Sequence, residues 1–340
     1  MKTYRAVMLT KKGDPEVLQQ VELPLVDPGP GEVRIAVRAT GAGGTDTVMR
    51  RGTYPYAPPM PFVPGYEVVG DVEAVGSGVT GLRVGQRVAA LLVHGGYAEK
   101  VVRPASEFVP VPEGIDDAHA VALILNYVTA YQAIHRVAKL SSGQHALITG
   151  ANGGVGTAAL ELLRVAGVNA IGAASAKHHA GVRALGATPI EGRGTPLDVG
   201  VRAVLPEGVD ASFDGLGGPY VGQCVRATRR GGMVVTYGFS GTFKDGVPSN
   251  AAVVRGMLAL FVGAPLQGRK GKFYGITMLY RKDPQPFRED LTKLFALLAE
   301  GKLAPVIAAR LPLLAAREAA VMLERGGVEG KIVHLAEGVS

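Results

Sequence analysis

Scarcities in this sequence exclude several classes of protein before any motif is considered. A single cysteine, Cys224, among 340 residues excludes a disulfide framework and a cysteine-rich zinc lobe, and it fits a reducing compartment. No apolar stretch reaches the roughly 18 uninterrupted residues of a membrane-spanning helix, and residues 1–10 lack the apolar core of a signal peptide. We therefore expect a cytoplasmic protein with no membrane span.

Runs of basic residues are also missing, although the formal net charge is +7. The lysines and arginines are scattered and are not interleaved with stacking aromatic residues, so we expect no nucleic-acid partner. The charge instead predicts a general positive field, which helps to gather an anionic cofactor from solution.

Two kinds of hydrophobic pattern divide the chain. Residues 1–120 contain short alternating segments such as EVRIAVRAT and EVVGDVEAV, which predict a barrel-like, mostly antiparallel β domain. From about residue 120, strand and helix segments alternate, which predicts a parallel sheet with helical crossovers. The polar segment at 239–250 suits a loop over a site. We therefore expect an α/β protein of two domains.

The segment HALITGANGGVG at 145–156 predicts a pyrophosphate-binding turn, because a short apolar strand runs into a glycine turn and then a helix. Glycines let the backbone approach a ligand, and the helix N-terminus offers unpaired N–H groups and a positive dipole end. An ordinary strand-to-helix turn is the alternative. The binding residues expected here are Gly150, Asn152, Gly153, Gly154, Val155 and Gly156.

The end of the next strand favours NADPH over NADH. NAD sites place an acidic residue there for the ribose 2′-OH, whereas this chain has Ala173, followed by Ser175, Lys177 and His178. A hydroxyl, an ammonium and an imidazole suit a 2′-phosphate, and Arg193 can close the same pocket. The alternative is that Lys177 and Arg193 are solvated surface cations.

Motifs along nearly the whole chain resemble, in order, those of the medium-chain dehydrogenases/reductases, in the zinc-independent quinone oxidoreductase branch with the zeta-crystallin and VAT-1-like proteins. They are TGAGGTDTVMRRGTYP, PFVPGYEVVGDVEAVGSGV, GLRVGQRV, GGYAE, NYVTAY, the glycine loop, GVDASFDGLGG, MVVTYG and GKIV.

The resemblance implies a Rossmann doubly wound parallel sheet inserted in a GroES-like, mostly β catalytic domain. The expected domains are residues 1–122 with 263–340 for the catalytic part, and residues 123–262 for the NADPH-binding part. The active site would lie in the cleft between them. The resemblance also implies a homodimer built on the cofactor domains, through the strands near 272–279.

The same comparison argues against zinc. Zinc-dependent relatives have a cysteine where this chain has Gly43 and a histidine where it has Tyr66, and neither is a usual zinc ligand. Asp46 and Glu67 alone fall short of a catalytic zinc site. We therefore expect activity without a metal.

Without a metal, hydrogen-bond donors must polarise the substrate. Tyr54 matches the tyrosine of the quinone-reductase cleft and is the expected catalytic residue, with packing in a proline-rich loop as the alternative. Asp46, Tyr66 and Asn126 complete the expected substrate pocket. Thr129 is expected near the nicotinamide, although helix capping or interdomain packing also suits Asn126 and Thr129. Further cofactor contacts are expected at Leu216, Tyr237, Gly238, Phe239, Gly330 and Lys331.

The expected reaction is hydride transfer from NADPH to a quinone or an α,β-unsaturated carbonyl compound. Simple aldehydes and alcohols fit less well, since neither a metal nor a Ser/Tyr/Lys relay is evident to handle the alkoxide proton. The rival hypothesis is an NADPH-binding protein with little catalysis and a structural or trafficking role.

Overall fold

The chain forms two compact units in a computed structural model that describes residues 2–244 and 247–339. The first unit comprises Met1–Leu125 with Tyr280–Ser340, and the second comprises Asn126–Leu279, which extends beyond the predicted boundary at residue 262. Of the loop predicted at 239–250, residues 245 and 246 lie outside the described residues.

The strands differ widely in length, and the longest has 11 residues. They are β1 (Thr3–Leu9), β2 (Leu18–Pro24), β3 (Glu32–Ala42), β4 (Glu67–Val75), β5 (Arg87–Leu91), β6 (Lys100–Pro104), β7 (Val109–Pro110), β8 (His145–Thr149), β9 (Asn169–Ala174), β10 (Thr188–Glu191), β11 (Val209–Asp214), β12 (Thr228–Thr236), β13 (Phe243–Lys244), β14 (Val247–Pro248), β15 (Lys270–Phe273), β16 (Ile307–Pro312) and β17 (Lys331–Leu335).

The α-helices are α1 (Gly44–Arg50), α2 (Asp117–Ala122), α3 (Val128–Tyr131), α4 (Gly154–Val165), α5 (His179–Ala184), α6 (Leu197–Val204), α7 (Pro219–Ala227), α8 (Asn250–Leu258), α9 (Ala264–Leu266), α10 (Ile276–Lys282), α11 (Gln285–Ala299) and α12 (Ala316–Arg325). Short π-helical segments lie at Leu123–Tyr127, Gln132–Ala138 and Ala259–Gly263. Single 3₁₀ turns lie at Pro15–Val17, Ala105–Glu107, Ala176–His178 and Ser240–Thr242.

The first unit is built on a mostly antiparallel sheet with the strand order β16-β17-β3-β4-β5-β7, to which β6 adds by pairing with β3. Strand β3 shows why the sheet forms here: Val33, Ile35 and Val37 are buried and alternate with less buried neighbours. This period of two places one apolar row on the core face. Strands β1 and β2 form a separate antiparallel pair.

The second unit is built on a six-stranded sheet in the order β10-β9-β8-β11-β12-β15, and every pairing in it is parallel. Helices connect successive strands, as parallel pairing requires. The order reverses between β8 and β11, so the loops that follow these two strands diverge at the carboxyl edge of the sheet. This arrangement confirms the predicted doubly wound α/β fold class. In the part of the chain that is described, no helix is long and apolar enough to cross a bilayer.

Candidate functional site

The glycine loop lies between β8 and α4, at the point where the strand order reverses. Gly150 follows β8 with a φ of +59°, a left-handed conformation that favours glycine. Gly156 lies in the first turn of α4, where a Cβ would collide with the carbonyl oxygen of Gly150. No side chain caps the start of α4 at Gly153. Within the loop, the Ala151 and Gly153 N–H groups donate to backbone carbonyl oxygens, whereas the uncapped first turn of α4 presents the N–H groups that suit an anion.

Asp214 fixes the loop that follows β11. Its buried carboxylate accepts hydrogen bonds from the Thr149 hydroxyl at 2.8 Å, the Leu216 N–H at 3.0 Å and the Gly217 N–H at 2.9 Å. Burial raises the pKa of Asp214, and these three donors oppose the rise. Thr149 ends β8, so one carboxylate ties the loop after β11 to the strand before the glycine loop. Sequence reasoning missed this residue, although an aspartate ends the strand motif VDASFD.

The loop after β12 packs against the loop after β11. The Tyr237 N–H donates to the Asp214 carbonyl oxygen at 2.9 Å, and a Cβ on Gly238 would lie 2.5 Å from the Gly215 carbonyl oxygen. The Phe239 ring stacks on Phe273 with the centroids 5.6 Å apart. Leu216, in the loop after β11, lies beside the glycine loop, because its Cδ2 would be 3.5 Å from a Cβ on Gly150. The structure thus brings the predicted residues of these three loops together.

The predicted 2′-phosphate residues also lie together, at the carboxyl end of β9. The Ala151 N–H donates to the Ala173 carbonyl oxygen at 3.1 Å, and the Gly192 N–H donates to the Ala174 carbonyl oxygen at 2.9 Å. These bonds bring the loops after β8 and β10 to the end of β9. Ser175, which is half-buried, and the exposed Lys177 follow β9 directly, and the exposed Arg193 lies in the loop after β10, whereas His178 is buried. The nearby acid Glu191 accepts the Arg193 backbone N–H at 3.0 Å.

Asn126 and Thr129 are buried side chains at the start of the second unit, 6% and 5% exposed. Between them, the Tyr127 hydroxyl donates to the Glu161 carboxylate of α4 at 2.5 Å. Burial and this carboxylate raise the pKa of Tyr127, so its phenol stays a donor. The bond holds the segment of Asn126 and Thr129 against the helix that the glycine loop begins.

Buried charged side chains lie in the first unit, in the region of the predicted substrate pocket. The Lys331 ammonium, 3% exposed, forms an ion pair with the Glu67 carboxylate, which is 0% exposed and also accepts the Leu125 N–H at 2.7 Å. Asp46 accepts the Gly43 N–H at 2.9 Å, and burial raises its pKa to about 6. Burial likewise raises the pKa of Glu67, and Lys331 opposes that rise. Lys331, predicted to contact the cofactor, therefore holds a buried carboxylate.

Gly330 forms the turn that brings Lys331 into this cluster. Its φ is +88°, and a Cβ there would collide with the Val306 carbonyl oxygen. The Lys331 N–H donates to the same oxygen at 2.8 Å, which sets the register of β17.

Tyr54, Tyr56 and Tyr66 form a tyrosine cluster in the first unit. The Tyr54 and Tyr66 hydroxyl oxygens are 2.6 Å apart. The Tyr54 ring packs edge-on against Tyr56 at 5.7 Å and against Tyr66 at 6.1 Å between centroids. Tyr66 is 1% exposed, whereas Tyr54 is only partly buried. One phenol of the pair is thus fixed in the core and the other reaches toward the surface.

Across the described residues, no group of three or more His, Cys, Asp or Glu side chains is placed to hold a metal ion. The two positions predicted to replace zinc ligands, Gly43 and Tyr66, lie at the start of α1 and in the tyrosine cluster.

A doubly wound parallel sheet with a glycine loop at its switch point, together with a separate β unit, defines a two-domain protein of the Rossmann-fold class. Two family models match the chain: the alcohol dehydrogenase GroES-like domain over residues 29–113, in the first unit, and the zinc-binding dehydrogenase domain over residues 185–333, which covers part of each unit.

Known proteins resemble the chain over most or all of its length. The quinone oxidoreductase-like protein 2 homolog of Nematostella vectensis is 31% identical over 98% of this chain and 89% of its own length. The synaptic vesicle membrane protein VAT-1 homolog of Rattus norvegicus is 37% identical over 69% of this chain, which spans 59% of that relative. The structure of the Escherichia coli quinone oxidoreductase complexed with NADPH matches with a TM-score of 0.86 at 26% identity, covering 97% of this chain and 99% of the other. The chain therefore belongs to the medium-chain dehydrogenase/reductase superfamily, in the quinone oxidoreductase and VAT-1 branch.

Proposed function

We propose that this protein is an NADPH-dependent oxidoreductase that reduces quinones or α,β-unsaturated carbonyl compounds without a metal. The observation that carries the proposal is the convergence of three glycine-bearing loops at the switch point of the parallel sheet, with a basic, acid-poor strand end beside them. Relatives named as quinone oxidoreductases, one of them solved with NADPH, support it.

The residues present fit this cofactor. At Gly156 a Cβ would collide with the Gly150 carbonyl oxygen and the Ala151 backbone, so glycine lets α4 begin close against the loop that would hold the pyrophosphate. Lys177 and Arg193 are exposed beside Ser175, and β9 ends in alanines rather than in a carboxylate that would repel a 2′-phosphate. When bound, NADPH supplies the hydride.

Tyr54 would act on the acceptor. Its phenol donates a hydrogen bond to the acceptor oxygen and stabilises the negative charge that develops there. The Tyr66 hydroxyl, 2.6 Å from that of Tyr54, holds this donor in position from the core. No metal is needed for this step, and the Lys331 ammonium beside Glu67 already supplies the cationic charge at that carboxylate.

The first test is a paired titration of NADPH and NADH by cofactor fluorescence. Lys177→Ala should reduce the preference for NADPH over NADH by roughly tenfold or more, because a charge-assisted contact is worth about 1.5–3 kcal/mol. Lys11→Ala removes the same charge from an exposed position in the first unit and should leave the preference unchanged. Equal binding of both cofactors by the parent protein would refute the 2′-phosphate site.

The second test is stopped-flow oxidation of NADPH against quinones, enones and aldehydes. Turnover confined to simple aldehydes would refute the proposed reaction. Tight NADPH binding with no oxidation by any acceptor would favour the other candidate function, a binding protein without catalysis. The similarity to VAT-1 homologues supports that candidate.

We also propose that the protein is a homodimer joined through β15. Among the described residues this strand pairs on one side only, with β12, and so ends the sheet. Large exposed apolar side chains lie on the segments packed beside it, including Phe261, Val262 and Leu266, at 54%, 50% and 82% exposure. An unpaired strand edge and an apolar patch together suit a second copy of the same chain. Light scattering that gives a monomer mass at micromolar concentration would refute it.

A further inference from the structure

The strongest unassigned feature near the tyrosine cluster is Arg281, which lies in α10. Its guanidinium carbon is 5.0 Å from the centroid of the Tyr56 ring. The Tyr56 ring in turn packs against Tyr54, so only one aromatic ring separates Arg281 from the proposed hydrogen-bond donor. Arg281 is exposed.

The Arg281 guanidinium lies over the Tyr56 ring. A planar guanidinium that packs its face on an aromatic ring keeps its N–H groups directed outward in the plane, where they can grip a carboxylate, sulfonate or phosphate in a bidentate manner. In the described part of the chain no carboxylate forms an ion pair with Arg281. The ring thus contacts the guanidinium without neutralising its charge.

The neighbouring groups add positive charge. Arg103 donates to the His94 carbonyl oxygen at 3.0 Å, and both Arg103 and Arg281 act with burial to lower the pKa of His94. Two acids of this region oppose this charge, because Glu107 lies 4.0 Å from Arg103 and Asp283, which accepts the Gln285 N–H at 3.0 Å, follows Arg281 by two residues. The attraction for an anion therefore comes mainly from the Arg281 guanidinium itself.

We infer that Arg281 is a specificity-determining residue that binds an anionic group of the acceptor, so that the preferred substrates are quinones or enones carrying a carboxylate, sulfonate or phosphate at the far end from the reacting carbonyl. This inference rests on the proposed function and names its substrate class. The acceptor would lie along the tyrosine cluster, with its carbonyl at Tyr54 and its anionic group at Arg281.

The test compares two acceptors that differ only in charge: the para-carboxylate of benzylideneacetone and its methyl ester, each with NADPH. The parent protein should show a kcat/KM at least tenfold higher for the acid than for the ester. Arg281→Gln should remove this difference by raising KM for the acid, whereas the ester is unaffected and Arg281→Lys retains part of the preference. Arg83→Gln, which removes the same charge from the exposed loop between β4 and β5, should change neither substrate.

Loss of activity toward both acceptors in Arg281→Gln, or equal kcat/KM values for acid and ester in the parent, would overturn the inference. If neither enone is reduced, naphthoquinone and its sulfonate provide the same comparison. Reduction of naphthoquinone with no preference for the sulfonate overturns the inference alone, whereas no reduction of any acceptor overturns the proposed function with it.

Discussion

Two buried groups in the first unit should give folding stability opposite dependences on pH. Burial raises the pKa of Asp46 from 3.8 to about 6, so its contribution is fully present below pH 3.8 and is lost as pH rises through 6. Burial lowers the pKa of His334 from 6.5 to about 4, so its contribution is present above pH 6.5 and is lost as pH falls through 4. Each shift corresponds to about 3 kcal/mol, at 1.36 kcal/mol per pKa unit.

Between pH 4 and 6, the stability that the parent protein loses through Asp46 as pH rises is nearly balanced by the stability that it gains through His334. Asp46→Asn removes the contribution that falls with pH. The stability of the variant relative to the parent should therefore increase by about 3 kcal/mol as pH rises from 4 to 6. Glu67, whose pKa is also raised by burial, is present in both proteins, so the part of its contribution that is independent of Asp46 cancels in the difference. His334→Gln should give a difference of the opposite sign, because it removes the contribution that grows with pH.

The chain lacks tryptophan, so circular dichroism is the suitable probe of the thermal midpoint. For a unit of this size, 3 kcal/mol corresponds to roughly 6–12 °C in midpoint. The midpoint difference between Asp46→Asn and the parent should therefore widen steadily from about pH 4 to 6.5. A difference that stays constant over this range would refute the reasoning, since it would mean that Asp46 has the same pKa in the folded and unfolded chains.

Other substitutions test the contacts described above. Lys331→Met should destabilise the protein by about 3–5 kcal/mol in urea unfolding, because it leaves Glu67 buried without its cation. Adding Glu67→Gln should recover most of that loss. Equal stability of the single and double variants would contradict this expectation. Gly156→Ala should abolish NADPH binding, because it places a Cβ against the Gly150 carbonyl oxygen. Gly222→Ala is the matched control, since a Cβ at that position of α7 would approach only the far end of a flexible arginine side chain, and it should leave binding intact. Retained NADPH affinity of Gly156→Ala in calorimetry would count against pyrophosphate binding at the glycine loop. Tyr54→Phe should lower kcat for enones by roughly a hundredfold or more with NADPH affinity unchanged, and an unaltered kcat would indicate that Tyr54 serves only in packing.

Much of the fold could be predicted because local patterns carry it. The alternation in β3 and the strand-turn-helix order around Gly150 each depend on residues that are neighbours in the sequence. The end of β9, with Ser175 and Lys177 following it, could be found in the same way. Such features are set by backbone geometry and by which face of a strand is buried.

The pairs that define the two site regions could not be predicted, because they join residues far apart in the chain. Nothing near Lys331 in the sequence indicates that its ammonium meets Glu67, and Arg281 lies over a ring more than two hundred positions away. Asp214 is an intermediate case, since its place at a strand end was visible but its three hydrogen-bond donors were not.

Gly41 shows why a residue type alone does not reveal its reason. In TGAGG it suggests a flexible turn, yet it lies inside β3 in extended pairing with Val333 of β17. A Cβ at this position would lie 2.7 Å from the Lys331 ammonium nitrogen and would also collide with the Glu67 carboxylate. Glycine is therefore required here by the space that a buried ion pair occupies and not by backbone conformation. The two side chains that impose this requirement come from other strands, so the reason for the glycine can be recognised only in the assembled sheet.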